Sequence, residues 1–271
     1  MGLEWRRIGD VQQPVLSFGV PDGRPVLLLP GLTDGLAPIS DPDARAQLRE
    51  PPGDLQARYR IHVVSHRFPA LAPLTTRTLA LDAAHLLETL TDRPAIVVGH
   101  SMGAMVAQHL AADRPELVDR LVLSCTVARA DDGFREVLAR WATLVAAERW
   151  RAFFRDAVDA SYTGSDLLRR RVAQRVLPFR APDPELKDRH LVLTEACGTH
   201  DALDRLADVR APALVLAGGR DEVTAPHHGE QLAAALPDAR LERWEPFGHG
   251  LPEQAADRFG RRLVRFLEDG T

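Results

Sequence analysis

Gly99-His100-Ser101-Met102-Gly103 sets a serine between two glycines, after the apolar run Ala95-Ile96-Val97-Val98 and before a helical stretch at 104–112. A serine at a strand-to-helix junction sits on a sharp, strained turn that lifts its hydroxyl off the backbone, and flanking glycines permit the close approach. A serine hydroxyl is a weak nucleophile at neutral pH. It needs a base within hydrogen-bond reach, and the base needs an acid that fixes its tautomer. Two later segments offer both. Residues 213–217 read as a strand and run into Gly218-Gly219-Arg220-Asp221. Residues 240–244 read as the next strand and run into Pro246-Phe247-Gly248-His249-Gly250. Asp221 and His249 thus each lie just past a strand's C-terminal end, and in a parallel sheet such loops gather on one edge. The expected roles are Ser101 as nucleophile, His249 as base and Asp221 as acid. Glu222 is an alternative acid. A carboxylate after Leu123 is another, although none occurs there before Asp131.

The chain has ten histidines. His85 and His109 fall on helical stretches and read as surface or packing residues. His227 and His228 sit at a helix start, His190 and His200 lie within a helical insertion, and His100 should point away from Ser101. An oxyanion formed at the attacked carbonyl requires two fixed N–H donors. The first expected donor is Met102, which opens the helix. The second is Leu32, in the loop Pro30-Gly31-Leu32-Thr33-Asp34-Gly35 that follows the strand at 26–29.

These residues need a framework. Apolar runs at 26–29, 61–65, 96–98, 121–124 and 214–217 are hydrophobic throughout, as strands buried on both faces of a parallel sheet are. Two more polar runs, 4–8 and 14–18, flank Gly9-Asp10 and read as an antiparallel edge hairpin. With 240–244 the total is eight strands. The expected fold is α/β: an eight-stranded, mostly parallel sheet flanked by helices, with a helical cap inserted after the sixth strand. The expected division is 1–125 and 208–271 as core and 126–207 as cap. Residues 34–58, rich in Pro and Asp, read as a loop with a short helix. In the insertion, Phe134, Val137, Leu138, Trp141, Leu144 and Val145 recur at helical spacing, with Asp131 or Asp132 as N-cap. A second helix carries Trp150, Phe153, Phe154 and Val158, and a third presents Leu168, Val172 and Val176. Packing is the simplest role for the aromatic residues. His66, Trp141, Trp150, Phe153 and Phe154 are the candidates for substrate contact, with Phe179 a further apolar cap residue.

Length and composition narrow the classes. A chain of 271 residues with 45% hydrophobic residues can bury a large core. A net charge of −4 gives no general basic field for nucleic acid. Lys187 is the only lysine, and Arg169-Arg170-Arg171 reads as one solvated helix face. No run approaches the length of a membrane span, and the first residues lack a secretory apolar region. Cys125 and Cys197 are too few for a disulfide framework and read as free thiols in a reducing compartment. The expectation is a cytoplasmic protein with a small-molecule substrate and no nucleic-acid or membrane partner. Homodimerisation is left open. No cofactor and no metal enter the expected chemistry.

In its ordered motifs the chain resembles the α/β-hydrolase superfamily over nearly its whole length. The strand–PG loop, GHSMG, GGRD and FGHG occur in that sequence, and the 111–123 segment is similar to the family's passage from helix to strand after the serine. The nearest branch is that of capped esterases, lactonases and haloperoxidase-like enzymes. The resemblance implies a Ser101, Asp221 and His249 triad, Leu32 and Met102 as oxyanion donors, and hydrolysis of a carboxylic ester, lactone or thioester through an acyl-enzyme. A carbon–carbon bond hydrolase or cyclase, and a ligand-binding protein that retains the triad, are the alternatives. Two segments depart from the family pattern. Pro30 stands where many members have a histidine that braces the loop. Ser65-His66-Arg67-Phe68-Pro69-Ala70 replaces a glycine-rich Asp-x-Arg-Gly-x-Gly-x-Ser segment. His66 and Arg67 would either brace this loop or reach the pocket mouth, and bracing is the favoured reading.

Overall fold

The structure, a computed structural model, describes residues 2–39 and 53–269. Eight strands form one sheet: β1 Gly2–Ile8, β2 Val11–Gly19, β3 Arg24–Leu29, β4 Tyr59–Val64, β5 Ala95–His100, β6 Val118–Ser124, β7 Ala213–Gly218 and β8 Ala239–Trp244. Their spatial order is β1-β2-β4-β3-β5-β6-β7-β8. β1 and β2 form the antiparallel edge, β2 runs antiparallel to β4, and every later pairing is parallel.

The apolar strand runs follow from burial on both faces. Successive side chains of a strand point to opposite sides of the sheet. On β3, Leu27 and Leu29 join one core layer and Val26 the other. β5 divides in the same way, with Ala95 and Val97 on one side and Ile96 and Val98 on the other. Helices cover both layers. α1 Gly53–Gln56 is short. α2 Thr76–Leu90 and α3 Met102–Asp113 pack Leu79, Leu86, Met105 and Leu110 on the first layer. Between β6 and β7 lie α4 Asp132–Ala146, α5 Trp150–Ser161, α6 Gly164–Val176 and α7 Pro184–Gly198. α8 His227–Ala235 and the short α9 Leu251–Gln254 follow. α10 Ala256–Asp269 then covers the second layer with Leu263, Phe266 and Leu267.

Asp131 is the N-cap of α4, its side chain accepting the Phe134 N–H at 2.8 Å. α6 forms over the expected residues, and Leu168, Val172 and Val176 are 65%, 48% and 71% exposed and face solvent. The helix is held on α5 by polar contacts instead: Gln174 donates to Phe154 O at 2.8 Å and Arg171 to Asp159 at 2.7 Å. Most of the 34–58 loop falls at 40–52, outside the described residues. Its described ends hold a 3-10 turn at Leu32–Gly35 and helix α1. Among the described residues no helix is long and apolar enough to cross a membrane.

Candidate active site

Ser101 lies between β5 and α3 with φ 54 and ψ −120. A side chain at such a φ is strained, and the surroundings must hold it there. They do so from both sides. The Ser101 N–H donates to Ser124 O at 2.8 Å. Ser101 O accepts the N–H groups of Ala104 and Met105 at 3.0 and 3.2 Å and the Thr126 hydroxyl at 3.0 Å. The glycines of the motif are steric requirements. A Cβ on Gly103 would collide with the backbone of Leu29 and Pro30, and one on Gly99 would meet Ala104 Cα at 2.5 Å. The start of α3 therefore presses on the end of β3.

Asp221 and His249 reach the serine from the loops after β7 and β8. His249 Nε2 lies 2.9 Å from Ser101 Oγ, and His249 Nδ1 lies 2.9 Å from Asp221 Oδ2. A carboxylate can only accept, so Nδ1 carries the proton and Nε2 presents its lone pair to the serine hydroxyl. All three residues are buried. Burial alone would raise the Asp221 carboxyl, but His249 and the donors of Thr224 hold it below the usual carboxylate range. Oδ1 accepts the N–H groups of Val223 and Thr224 at 2.8 Å each, and Oδ2 accepts the Thr224 hydroxyl at 2.8 Å. Glu222, the alternative acid, is exposed.

Thr224 and Thr126 are site residues that sequence reading missed. Thr224 had a legible signal: a hydroxyl three residues after a loop aspartate closes a local turn. Thr126 had none, because its acceptor is a backbone carbonyl 25 residues away.

Met102 opens α3, where an N–H has no acceptor within the helix. Leu32 opens the 3-10 turn of the Pro30-Gly31 loop. That loop lies against the serine, since a Cβ on Gly31 would stand 3.4 Å from Ser101 Cβ. Behind it is a buried polar cluster. The His66 ring donates from Nε2 to Pro30 O at 3.1 Å, and the His66 N–H donates to Asp34 Oδ2 at 3.0 Å. Burial lowers the His66 pKa, which keeps the ring neutral with its proton on Nε2. Arg189, from α7, donates to Asp34 Oδ2 at 2.7 Å, to His66 O at 2.9 Å and to Asp34 O. Its guanidinium also lies 4.0 Å from the Phe68 ring centre. Arg67 pairs with Asp82 through two bonds of 2.6 Å. His66 and Arg67 therefore hold the loops together.

The candidate aromatic contacts Trp141, Trp150, Phe153 and Phe154 form one cluster on α4 and α5. Trp141, Trp150 and Phe153 are buried and pack edge-on, with ring centres 6.1 Å apart for Trp141–Phe153 and 6.5 Å for Trp150–Phe153. The Trp141 indole donates to Asp156 at 2.7 Å. Phe154 joins Phe153 to Phe179, which is 36% exposed beneath the Arg151 guanidinium. Phe153 also meets the buried His190 ring at 5.4 Å.

Other histidines pack or pair away from the serine hydroxyl, His62 meeting Ser17 Oγ through Nδ1 at 2.8 Å. His100 lies 5.1 Å from the His249 ring, and burial takes its pKa to about 3. His200 accepts or donates at Nδ1 to the Thr76 hydroxyl at 2.8 Å and stacks edge-on with His109. His85 is exposed. Cys125 is buried beside the site with φ 48, and burial raises its thiol well above the ordinary value, so it supplies no thiolate.

A parallel sheet with a serine at its strand-to-helix turn, and with histidine and aspartate delivered by two later loops, defines a class. The family profile of the alpha/beta hydrolase fold matches residues 24–256, and the chain belongs to that family and is a hydrolase. Among curated relatives, a pimeloyl-[acyl-carrier protein] methyl ester esterase of Neisseria meningitidis is 31% identical over 187 residues, 66% of this chain and 71% of that one. A putative carbamate hydrolase, RutD, of Azorhizobium caulinodans is 26% identical over 255 residues, 90% of this chain and 91% of the other. Among solved structures, the enol-lactonase of Burkholderia xenovorans LB400 superposes with a TM-score of 0.81 at 22% identity, covering 97% of this chain and 99% of that one. That last likeness is one of fold.

Proposed function

We propose that the chain is a serine hydrolase that cleaves a carboxylic ester, lactone or thioester of a small, partly apolar substrate through an acyl-enzyme. The observation that carries this reading is His249 standing 2.9 Å from both Ser101 Oγ and Asp221 Oδ2. Ser101 Oγ attacks the carbonyl carbon as His249 Nε2 takes its proton. Asp221 orients the ring and offsets the imidazolium charge. The N–H groups of Leu32 and Met102 receive the oxyanion. His249 returns the proton to the leaving alcohol or thiol, leaving Ser101 acylated. Water, deprotonated by the same nitrogen, then attacks the acyl carbon and releases the acid.

The relatives support acyl-carbonyl chemistry, being named for a methyl ester and a carbamate. In this reading residues 126–207 form a cap over a core of 1–125 and 208–271. The buried ring of Phe153, next to His190, supports an apolar acyl or alcohol group. The test is active-site labelling. A fluorophosphonate should modify Ser101 in the folded protein and leave a Ser101→Ala variant untouched, and p-nitrophenyl esters should turn over with an initial burst. A folded protein whose Ser101 stays unlabelled ends the nucleophile assignment. Labelling without ester turnover would move the reaction toward carbon–carbon cleavage or cyclisation.

A further inference from the structure

A second group of ionisable side chains lies outside the triad. Asp131 is the N-cap of α4, and His227 and His228 open α8. The Nε2 atoms of both imidazoles lie 3.4 Å from the same oxygen, Asp131 Oδ2. The other oxygen, Oδ1, is occupied by the Phe134 N–H. One ligand atom from each of the three residues falls within 4.8 Å of the others.

The distance is informative. An N–H···O hydrogen bond prefers roughly 2.7–3.2 Å, and both contacts exceed that range. Ligands bound about 2.0–2.1 Å from a tetrahedral Zn²⁺ stand roughly 3.3–3.4 Å apart, by simple geometry. Both nitrogen-to-oxygen separations match that edge. The chemistry agrees: two neutral imidazoles and one carboxylate are a common donor set for zinc and neighbouring metals. His228 is buried. Its Nδ1 has no hydrogen-bond partner, so the ring's polar contact is through Nε2. His227 is 60% exposed and Asp131 43%, which gives an ion a route in and a place for a water ligand.

We propose that Asp131, His227 and His228 form a three-ligand site for a divalent transition metal of the zinc class. The site joins the first helix of the 126–207 insertion to the helix that follows the Asp221 loop. A bound ion would replace two long contacts with bonds and clamp the insertion to the core. It takes no part in the hydrolytic steps and does not depend on the hydrolase reading.

The test uses the full chain, stripped with chelator and dialysed, and titrated with Co²⁺ at pH 7.5. One equivalent should give visible d–d bands that one equivalent of Zn²⁺ abolishes, and Zn²⁺ should raise the melting temperature of the wild type. His227→Ala should weaken binding by roughly 100-fold or more, since losing even an outer-sphere partner costs about 10–100-fold. Asp131→Asn should do the same while keeping the helix cap, because asparagine caps as well as aspartate. Absence of a saturable spectrum overturns the proposal, as does unchanged affinity in His227→Ala. Capture by Cys125, Asp221 and His249, the other group able to hold an ion among the described residues, also overturns it. That result would appear as loss of ester turnover with binding retained in His227→Ala.

Discussion

Replacing Arg189 by methionine should destabilise the protein and slow it. The Arg189 and Asp34 side chains are 4% and 3% exposed, and their ion pair spans 2.7 Å. Methionine keeps much of the volume and removes the charge. It strands a buried carboxylate and two carbonyl oxygens, those of Asp34 and His66. Breaking one side of a buried pair costs about 3–5 kcal/mol, far above the ~1 kcal/mol of an exposed pair. Against a total of roughly 5–15 kcal/mol the variant remains folded at 25 °C, with a clearly lower urea midpoint. Asp34→Leu should cost a similar amount. The double variant should lose less than the sum, with a coupling energy of about 1–3 kcal/mol, because no charge is left buried alone. Activity should follow the same logic. Asp34 and His66 hold the loop that carries Leu32, and complete loss of an oxyanion donor costs about 100- to 1,000-fold. A displaced donor should cost roughly 10- to 100-fold in kcat with KM little changed, since the donor acts at the transition state. Urea unfolding and ester turnover measured on the three variants test this. Arg189→Met within 1 kcal/mol of wild type, or strictly additive costs, would refute the reasoning.

Other substitutions probe the turn and its partners. Ser101→Ala should reduce turnover by about 10⁴-fold or more. Ser101→Gly should be equally inactive yet about 1 kcal/mol more stable than Ser101→Ala, because glycine tolerates φ 54; urea midpoints decide, and equal midpoints argue against strain. Asp221→Asn should lower kcat by about 10⁴-fold by permitting the wrong His249 tautomer, and a loss below tenfold would remove Asp221 from the acid role. Gly103→Ala should cost about 1–3 kcal/mol or more as α3 is pushed off β3, measured by thermal melting. Finally, burial holds His200 at about 3 and His62, His109 and His190 at about 4. Unfolded, these rings titrate near 6.5, so between pH 6.5 and 4 the unfolded chain binds protons that the folded chain refuses. Stability must fall as pH falls, by up to about 1.4 kcal/mol per pH unit for each ring. A urea midpoint unchanged from pH 7 to pH 5 would contradict that burial.

The parts legible in the sequence were those encoded locally. Ser101, Asp221 and His249 each stand in the loop just past a strand, and parallel strands send such loops to one edge whatever the rest of the chain does. The five inner strands β3 to β7 were legible because burial on both faces leaves apolar runs, while β1 and β8 at the edges, and β2 beside β1, are more polar. Two things were not. The exposure of Leu168, Val172 and Val176 on α6 is one, because a helical repeat shows amphipathicity without naming what it packs against. The Asp34–Arg189 pair joins residues 155 positions apart and carries no local signature. Arg189 looked like any other cap arginine, and only the tertiary structure separates it from the exposed Arg169.

That pair also explains how the chain manages with Pro30. Proline has no N–H and no polar side chain, so it cannot brace the loop from within. The brace comes from outside: His66 donates to Pro30 O, Asp34 accepts the His66 N–H, and Arg189 neutralises Asp34. His66 stands in the segment where the glycine-rich pattern is missing, so the two departures meet at one hydrogen bond. A glycine at that position could supply no ring to meet Pro30. The brace has a consequence for folding. Arg189 belongs to α7, within the helical insertion, whereas Asp34 and His66 belong to the sheet's own loops. The loop that carries Leu32 is therefore fully paired only with the insertion docked, and loosening the insertion leaves Asp34, 155 residues before Arg189, without its guanidinium partner. Stability of the insertion and placement of the Leu32 N–H are thus coupled through α7, by the Arg189 guanidinium and by His190 packed against Gly35.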